Sequence, residues 1–149
     1  MKKPLIIAGN CVLEDLKTSE KTVLFLIKAA KKYNFDLIYK SSFKKDNRSS
    51  HKYYRGPGIK ESIRIFKYLK DKFGVKLTTD FHHLYELETE LPEIIDVLQI
   101  PAYLSMQTEL TLAISKIGKP VNIKKGQFLH PEDVGHIIKK IESTGNKKI

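Results

Sequence analysis

The stretch "IIDVLQIPAYLSMQTELTLAISKIGKPVNIKK", residues 94–125, decides the fold. Residues 94–100 are almost continuously apolar, the pattern of a strand buried on both faces of a parallel sheet. Leu110, Ala113, Ile114 and Ile117 then recur at helical spacing, and Gly118 stops that helix. "PVNIK" (120–124) is a further short apolar run. Strand, helix, strand in this order is the crossover that parallel pairing requires.

The same alternation extends both ways from this unit. "PLIIAG" (4–9) predicts a buried strand, and Thr18 or Ser19 is placed to cap a helix running to about Tyr33, with Asn34 at its end. "DLIYK" (36–40) and "VKLTTD" (75–80) read as strands. Between them Ile59, Ile63, Phe66, Leu69 and Phe73 mark a helix that Gly74 ends. A short polar helix is expected around 84–91. Towards the C-terminus Pro131 opens a fifth helix, with Glu132 and Asp133 in its first turn, Val134, Ile137, Ile138 and Ile141 along one face and Gly145 closing it.

Five βα units in series predict an α/β protein with a parallel sheet. "AGNC" (8–11) is not the GxGxxG turn of a dinucleotide-binding sheet. Polar residues instead collect at the C-terminal ends of the strands: Asn10, Cys11, Lys40, Asp80 with His82, Gln99 and Lys124. That is the functional rim of a TIM (β/α)8 barrel, and a whole barrel takes about 200 residues or more. The expectation is therefore a single domain, 1–149, forming the first five units of an incomplete barrel.

Length and an apolar fraction of 41% support a packed core rather than a disordered chain. The net charge of +10 points to anionic partners, whether phosphorylated metabolites, nucleic acid or acidic membranes. One cysteine excludes an internal disulfide, no apolar run reaches transmembrane length, and the N-terminal run is too short for a signal segment. A cytoplasmic protein with no membrane partner is expected. No HExxH, CxxC or EF-hand spacing builds a local metal site.

The positive charge peaks in "KSSFKKDNRSSHKYYRGPG" (40–58), where Lys40, Lys44, Lys45, Arg48, Lys52 and Arg55 face one acid, Asp46. One loop, rather than a stripe, argues against nucleic acid as the partner. Lys40, Lys45, Arg48 and Lys124 suit a carboxylate or phosphate group; Lys44 and Lys52 read as surface. Asn47, Ser49 and Ser50 fit sugar hydroxyls or phosphate oxygens, and equally fit turn chemistry. Asp80 could accept a substrate hydroxyl or pair with a neighbouring lysine, while Gln99 and Pro101 could shape a pocket floor. Cys11 could be a metal ligand, a nucleophile or an inert buried thiol. His130 and His136 read as surface helix residues.

The motifs "IAGNCVLED", "KSSFKKDNRSSHKYYRGPG", "TTDFHH", "LQIPAYLSMQTEL" and "VNIKKGQFL", in this order, resemble the 3-deoxy-D-manno-octulosonate 8-phosphate synthases. These TIM barrels condense phosphoenolpyruvate with D-arabinose 5-phosphate and water, a step towards the KDO of lipopolysaccharide. The resemblance implies that Lys40, Lys45 and Lys124 hold phosphoenolpyruvate with Gln99 nearby. It implies that Asn47, Arg48 and Ser49 bind the sugar phosphate, that Asp80 contacts its hydroxyls, and that Pro101 and Ala102 line the substrate. Cys11 matches the metal-ligand position of the metal-dependent members, which implies a divalent Zn, Fe or Mn.

Four positions depart from the family pattern: Lys44, Asp46, His83 and Met106. A phosphate-binding arginine and the His, Glu and Asp metal ligands have no counterpart in these 149 residues. The isolated chain is accordingly expected to be inactive, and to need a C-terminal half or a homo-oligomer. The other readings are a non-catalytic remnant or complementing fragment of such a synthase, the related 3-deoxy-7-phosphoheptulonate synthase, and a basic nucleic-acid-binding module.

Overall fold

Successive strands lie side by side in the computed structural model, which describes residues 3–149. β1 (Leu5–Ala8), β2 (Asp36–Lys40), β3 (Lys76–Asp80), β4 (Val97–Ile100) and β5 (Val121–Ile123) form one five-stranded sheet in the order β1-β2-β3-β4-β5. The helices α1 (Leu16–Tyr33), α2 (Ile59–Phe73), α3 (Leu91–Ile94), α4 (Thr108–Lys116) and α5 (Val134–Glu142) alternate with them. A doubly wound sheet reverses its strand order at a switch point, whereas a (β/α) barrel adds each strand beside the last. The architecture is thus α/β of the TIM-barrel class, with five of eight βα units. The chain divides into two compact units, one running to Thr79 and the other from Asp80 to Ile149.

In the first unit, β1 pairs in parallel with β2 (Leu5 opposite Asp36) and β2 with β3 (Ile38 opposite Lys76). Val23, Ile38, Ile65, Phe66, Leu69 and Leu77 are buried. Each such side chain stabilises the fold by roughly 1.5–3 kcal/mol. The cap of α1 is Asp15 rather than Thr18 or Ser19: its carboxylate accepts from the Thr18 amide at 2.7 Å and the Thr18 hydroxyl at 2.9 Å. A carboxylate at this position satisfies an orphan amide and meets the positive end of the helix dipole. Asn34 ends α1 in the left-handed conformation (φ 55°). Glu20 of α1 accepts from both Tyr68 Oη and Lys72 Nζ of α2 at 2.6 Å.

β1 is not the buried strand that its apolarity suggests. Leu5 is 61% exposed and Ile6 and Ile7 each 39%, because β1 stands first in the strand order and, among the described residues, pairs on one side only.

In the second unit, β4 pairs in parallel with β5 (Leu98 opposite Val121). The apolar run at 94–100 splits: Pro92 sits in the first turn of α3 and the Ile95 amide closes that turn on Leu91 O, so Ile94 is helical and the strand begins at Val97. The expected helix at 84–91 is a 3-10 turn (Leu84–Glu88) followed by α3. Lys119 Nζ donates to the carbonyls of Pro92, Glu93 and Ile95, each at 2.7 Å, and so serves the C-terminal end of α3. The Val121 amide donates to Lys148 O at 2.8 Å, the same step by which Leu98 donates to Pro120 O at 2.9 Å.

Candidate functional site

In the first unit, the candidate residues gather where β2 ends. Ser42 is fully buried and its backbone is fixed by a lone bridge to Val12 and by the Leu13 amide, which donates to Ser42 O at 2.9 Å. Its hydroxyl oxygen accepts from Lys40 Nζ at 3.0 Å and from Lys45 Nζ at 2.7 Å. The two ammonium groups therefore stand no farther apart than those distances summed. Two ammonium groups gathered on one hydroxyl oxygen form a site that suits a carboxylate or phosphate. Sequence reasoning selected both lysines but missed Ser42, which carries no motif signal of its own.

The loop from Phe43 to Gly58 folds back on itself. The Lys45 amide donates to Arg55 O at 2.7 Å, and Arg55 Nε donates to Lys45 O at 3.0 Å. Gly56 (φ +123°) passes so close that an added Cβ would lie 2.2 Å from Phe43 O. Tyr54 Oη donates to the carbonyls of Leu13 (3.1 Å) and Glu14 (3.3 Å), tying the loop to the segment after β1. Lys44 is not a merely solvated residue: it pairs with Asp46 at 2.7 Å, and Arg55 bonds the same carboxylate. Asn47, Arg48 and Ser49 are exposed, with Arg48 Nε on Tyr54 O at 3.2 Å. Lys52 is exposed as expected.

Asn10 accepts from the buried Tyr39 hydroxyl at 2.6 Å. Beside it Cys11 is exposed, which removes the inert buried thiol as a reading. Among the described residues no group of three or more His, Cys, Asp or Glu is placed to hold a metal ion. Cys11 offers one soft donor and does not by itself complete a metal centre.

In the second unit, Asp80 and His82 are both buried at the end of β3. His82 lies between two carboxylates, with Nε2 3.9 Å from Asp80 and Nδ1 3.9 Å from Glu86. Tyr103 stacks on its ring at 6.2 Å between centroids. Glu86, fully buried, accepts from the amides of His82 (2.6 Å) and His83 (3.1 Å). This is a capping box with His83 at the N-cap and Glu86 three positions on, and the histidine at the cap position gave no sequence signal for it. An imidazole ring nitrogen can donate a hydrogen bond to a hydroxyl or accept one from it.

Gln99 is buried and its side-chain oxygen accepts from Asn122 Nδ2 at 2.9 Å. Lys124, whose amide donates to Ile100 O at 3.0 Å, leaves the end of β5 exposed. Pro101 is buried and Ala102 half-buried after β4. His83 lines a cleft of about 500 Å³ together with His82, Gln107 and Glu109.

The profile of the DAHP synthetase I family matches residues 2–149. The chain is 42% identical over 148 residues to a protein of Haemophilus influenzae named 2-dehydro-3-deoxyphosphooctonate aldolase, an overlap covering 99% of this chain and 52% of that protein. Proteins of the same name from Pasteurella multocida and Xylella fastidiosa are each 41% identical, over 148 and 150 residues, covering 52% and 54% of their lengths. The chain spans about half the length of the curated relatives it matches.

Proposed function

The chain belongs to the DAHP synthetase I family, and from that premise we propose that it is the N-terminal part of a 3-deoxy-8-phosphooctulonate synthase. The reaction joins phosphoenolpyruvate, arabinose 5-phosphate and water to give the eight-carbon keto acid phosphate and inorganic phosphate. A carbon–carbon bond forms between the enol carbon and the aldehyde, water supplies the new C2 oxygen, and phosphate leaves with the old one. The observation that carries the reading is the convergence of Lys40 and Lys45 on Ser42 Oγ.

Both substrates are multiply charged anions, and bringing them together costs electrostatic work that ammonium groups offset while they orient the reacting carbons. Lys40 and Lys45 serve the phosphoenolpyruvate anion, and the family resemblance assigns Lys124 and Gln99 to the same substrate. Asn47, Arg48 and Ser49 are on the exposed part of the loop, where a sugar phosphate can reach them. Asp80, with His82 beside it, accepts hydroxyl protons of the sugar. Pro101 and Ala102 are assigned to substrate contact on the resemblance, and Cys11 to one ligand of a divalent metal.

Isothermal titration of the 149-residue chain with phosphoenolpyruvate tests the site. Wild type is expected to bind, and Lys45→Ala and Lys40→Ala each to weaken binding by tenfold or more. Unchanged affinity in both variants would sink the reading. Phosphate release in the presence of arabinose 5-phosphate then separates a synthase from a fragment that binds without turnover.

A further inference from the structure

We propose that Asp46 is a positioning residue: through Arg55 it clamps the loop backbone that aims Lys45 at the anion site. The proposal rests on the reading of Lys40, Ser42 and Lys45 as the phosphoenolpyruvate cradle, and names what holds that cradle in shape. Residue 46 is one of the positions at which this chain departs from the family pattern.

Residues 45 and 55 exchange two hydrogen bonds, amide to carbonyl at 2.7 Å and guanidinium Nε to carbonyl at 3.0 Å. Nη2 of the same guanidinium donates to the Asp46 carboxylate. Arg55 thus spans the Lys45 carbonyl and the adjoining carboxylate, and a planar donor fork held at two points is fixed in orientation. The Lys45 side chain springs from this clamped backbone and reaches Ser42 Oγ at 2.7 Å. Long polar loops lose much conformational freedom on ordering, so a lysine aimed from an unclamped one would bind its anion less tightly. Asp46 also pairs with Lys44 at 2.7 Å, so one acid engages Lys44 and Arg55 while Ser42 gathers Lys40 and Lys45.

The clamp and a simple field effect predict opposite signs. Removing a negative charge from a basic loop strengthens anion binding by Coulomb attraction alone; loss of the clamp weakens it. Titration of the 149-residue chain with phosphoenolpyruvate decides. Asp46→Ala is expected to bind about tenfold more weakly than wild type, and Asp46→Glu to recover most of the loss. Arg55→Gln is expected to match Asp46→Ala, and the double variant to be no weaker than either single one, the signature of two groups acting as a unit. Hydrogen exchange at the Lys45 amide is expected to quicken in Asp46→Ala.

Should the alanine variant lose its fold, Asp46→Asn removes the charge at constant shape and is read the same way. Equal or tighter binding by Asp46→Ala, or additive losses in the double variant, overturns the clamp alone. A wild-type chain that binds no phosphoenolpyruvate overturns the reading of the site itself, and the role of Asp46 in it.

Discussion

Tyr39 shows how a single buried group writes a pH dependence into the fold. Its ring is fully buried beneath the end of β2, its hydroxyl donates to Asn10, and burial pushes its pKa up to about 12. The folded phenol stays protonated where the unfolded chain, titrating near 10, has lost its proton. Native protein then binds more protons than unfolded protein, so stability falls as pH rises from about 10 to about 12, by up to about 3 kcal/mol. Thermal melts across that range should show Tyr39→Phe losing less stability than wild type; parallel curves would refute the effect. Asp15 works in the opposite sense: hydrogen bonds from Thr18 hold its carboxyl below the usual range, so its capping contribution is present above that range and fades on acidification.

At the scale of elements, the loop between β2 and α2 is a built structure rather than a flexible tether. Its closure depends on Gly56, whose φ of +123° and close approach to Phe43 O leave no room for a side chain. Gly56→Ala is expected to lower stability by about 1–3 kcal/mol and to weaken phosphoenolpyruvate binding with it, measured by calorimetric melting and titration on the same preparation. A variant that melts as wild type would show that the loop tolerates another path. The end of α3 is a second built feature. Lys119 reaches two of its carbonyls and that of its C-cap Ile95 with one ammonium group, a role that its sequence position gives no hint of.

At the scale of the molecule, charge and apolar exposure are unevenly spread. No Lys or Arg stands between Lys76 and Lys116, so the excess of positive charge belongs mainly to the residues before β3 ends. β1, with Leu5 61% exposed and one open backbone edge, is a template for pairing with another chain. Sedimentation of the 149-residue chain is expected to show association that grows with concentration, and Ile6→Lys to reduce it, since a charge on an edge strand opposes pairing. A monodisperse monomer at all concentrations would contradict this. Among the described residues no helix is long and apolar enough to cross a membrane.

The order of elements was legible because hydrophobic period and helix stops are local properties of the chain. Five strands, their alternation with helices and the lysines at the ends of β2 and its loop all follow from residue spacing, and the family from five short motifs. Burial was not legible in the same way. The apolar runs of β1 and β4 look alike, yet Leu5 is exposed and Leu98 fully buried, because a strand's burial depends on which neighbours flank it. Only tertiary structure brought Lys40 and Lys45 to one buried hydroxyl, set Glu86 under His82, and turned Asp46 from a lone acid in a basic loop into the partner of Lys44 and Arg55. Those contacts join residues through a folded loop and a buried backbone, and spacing along the chain does not encode which side chains will share one oxygen.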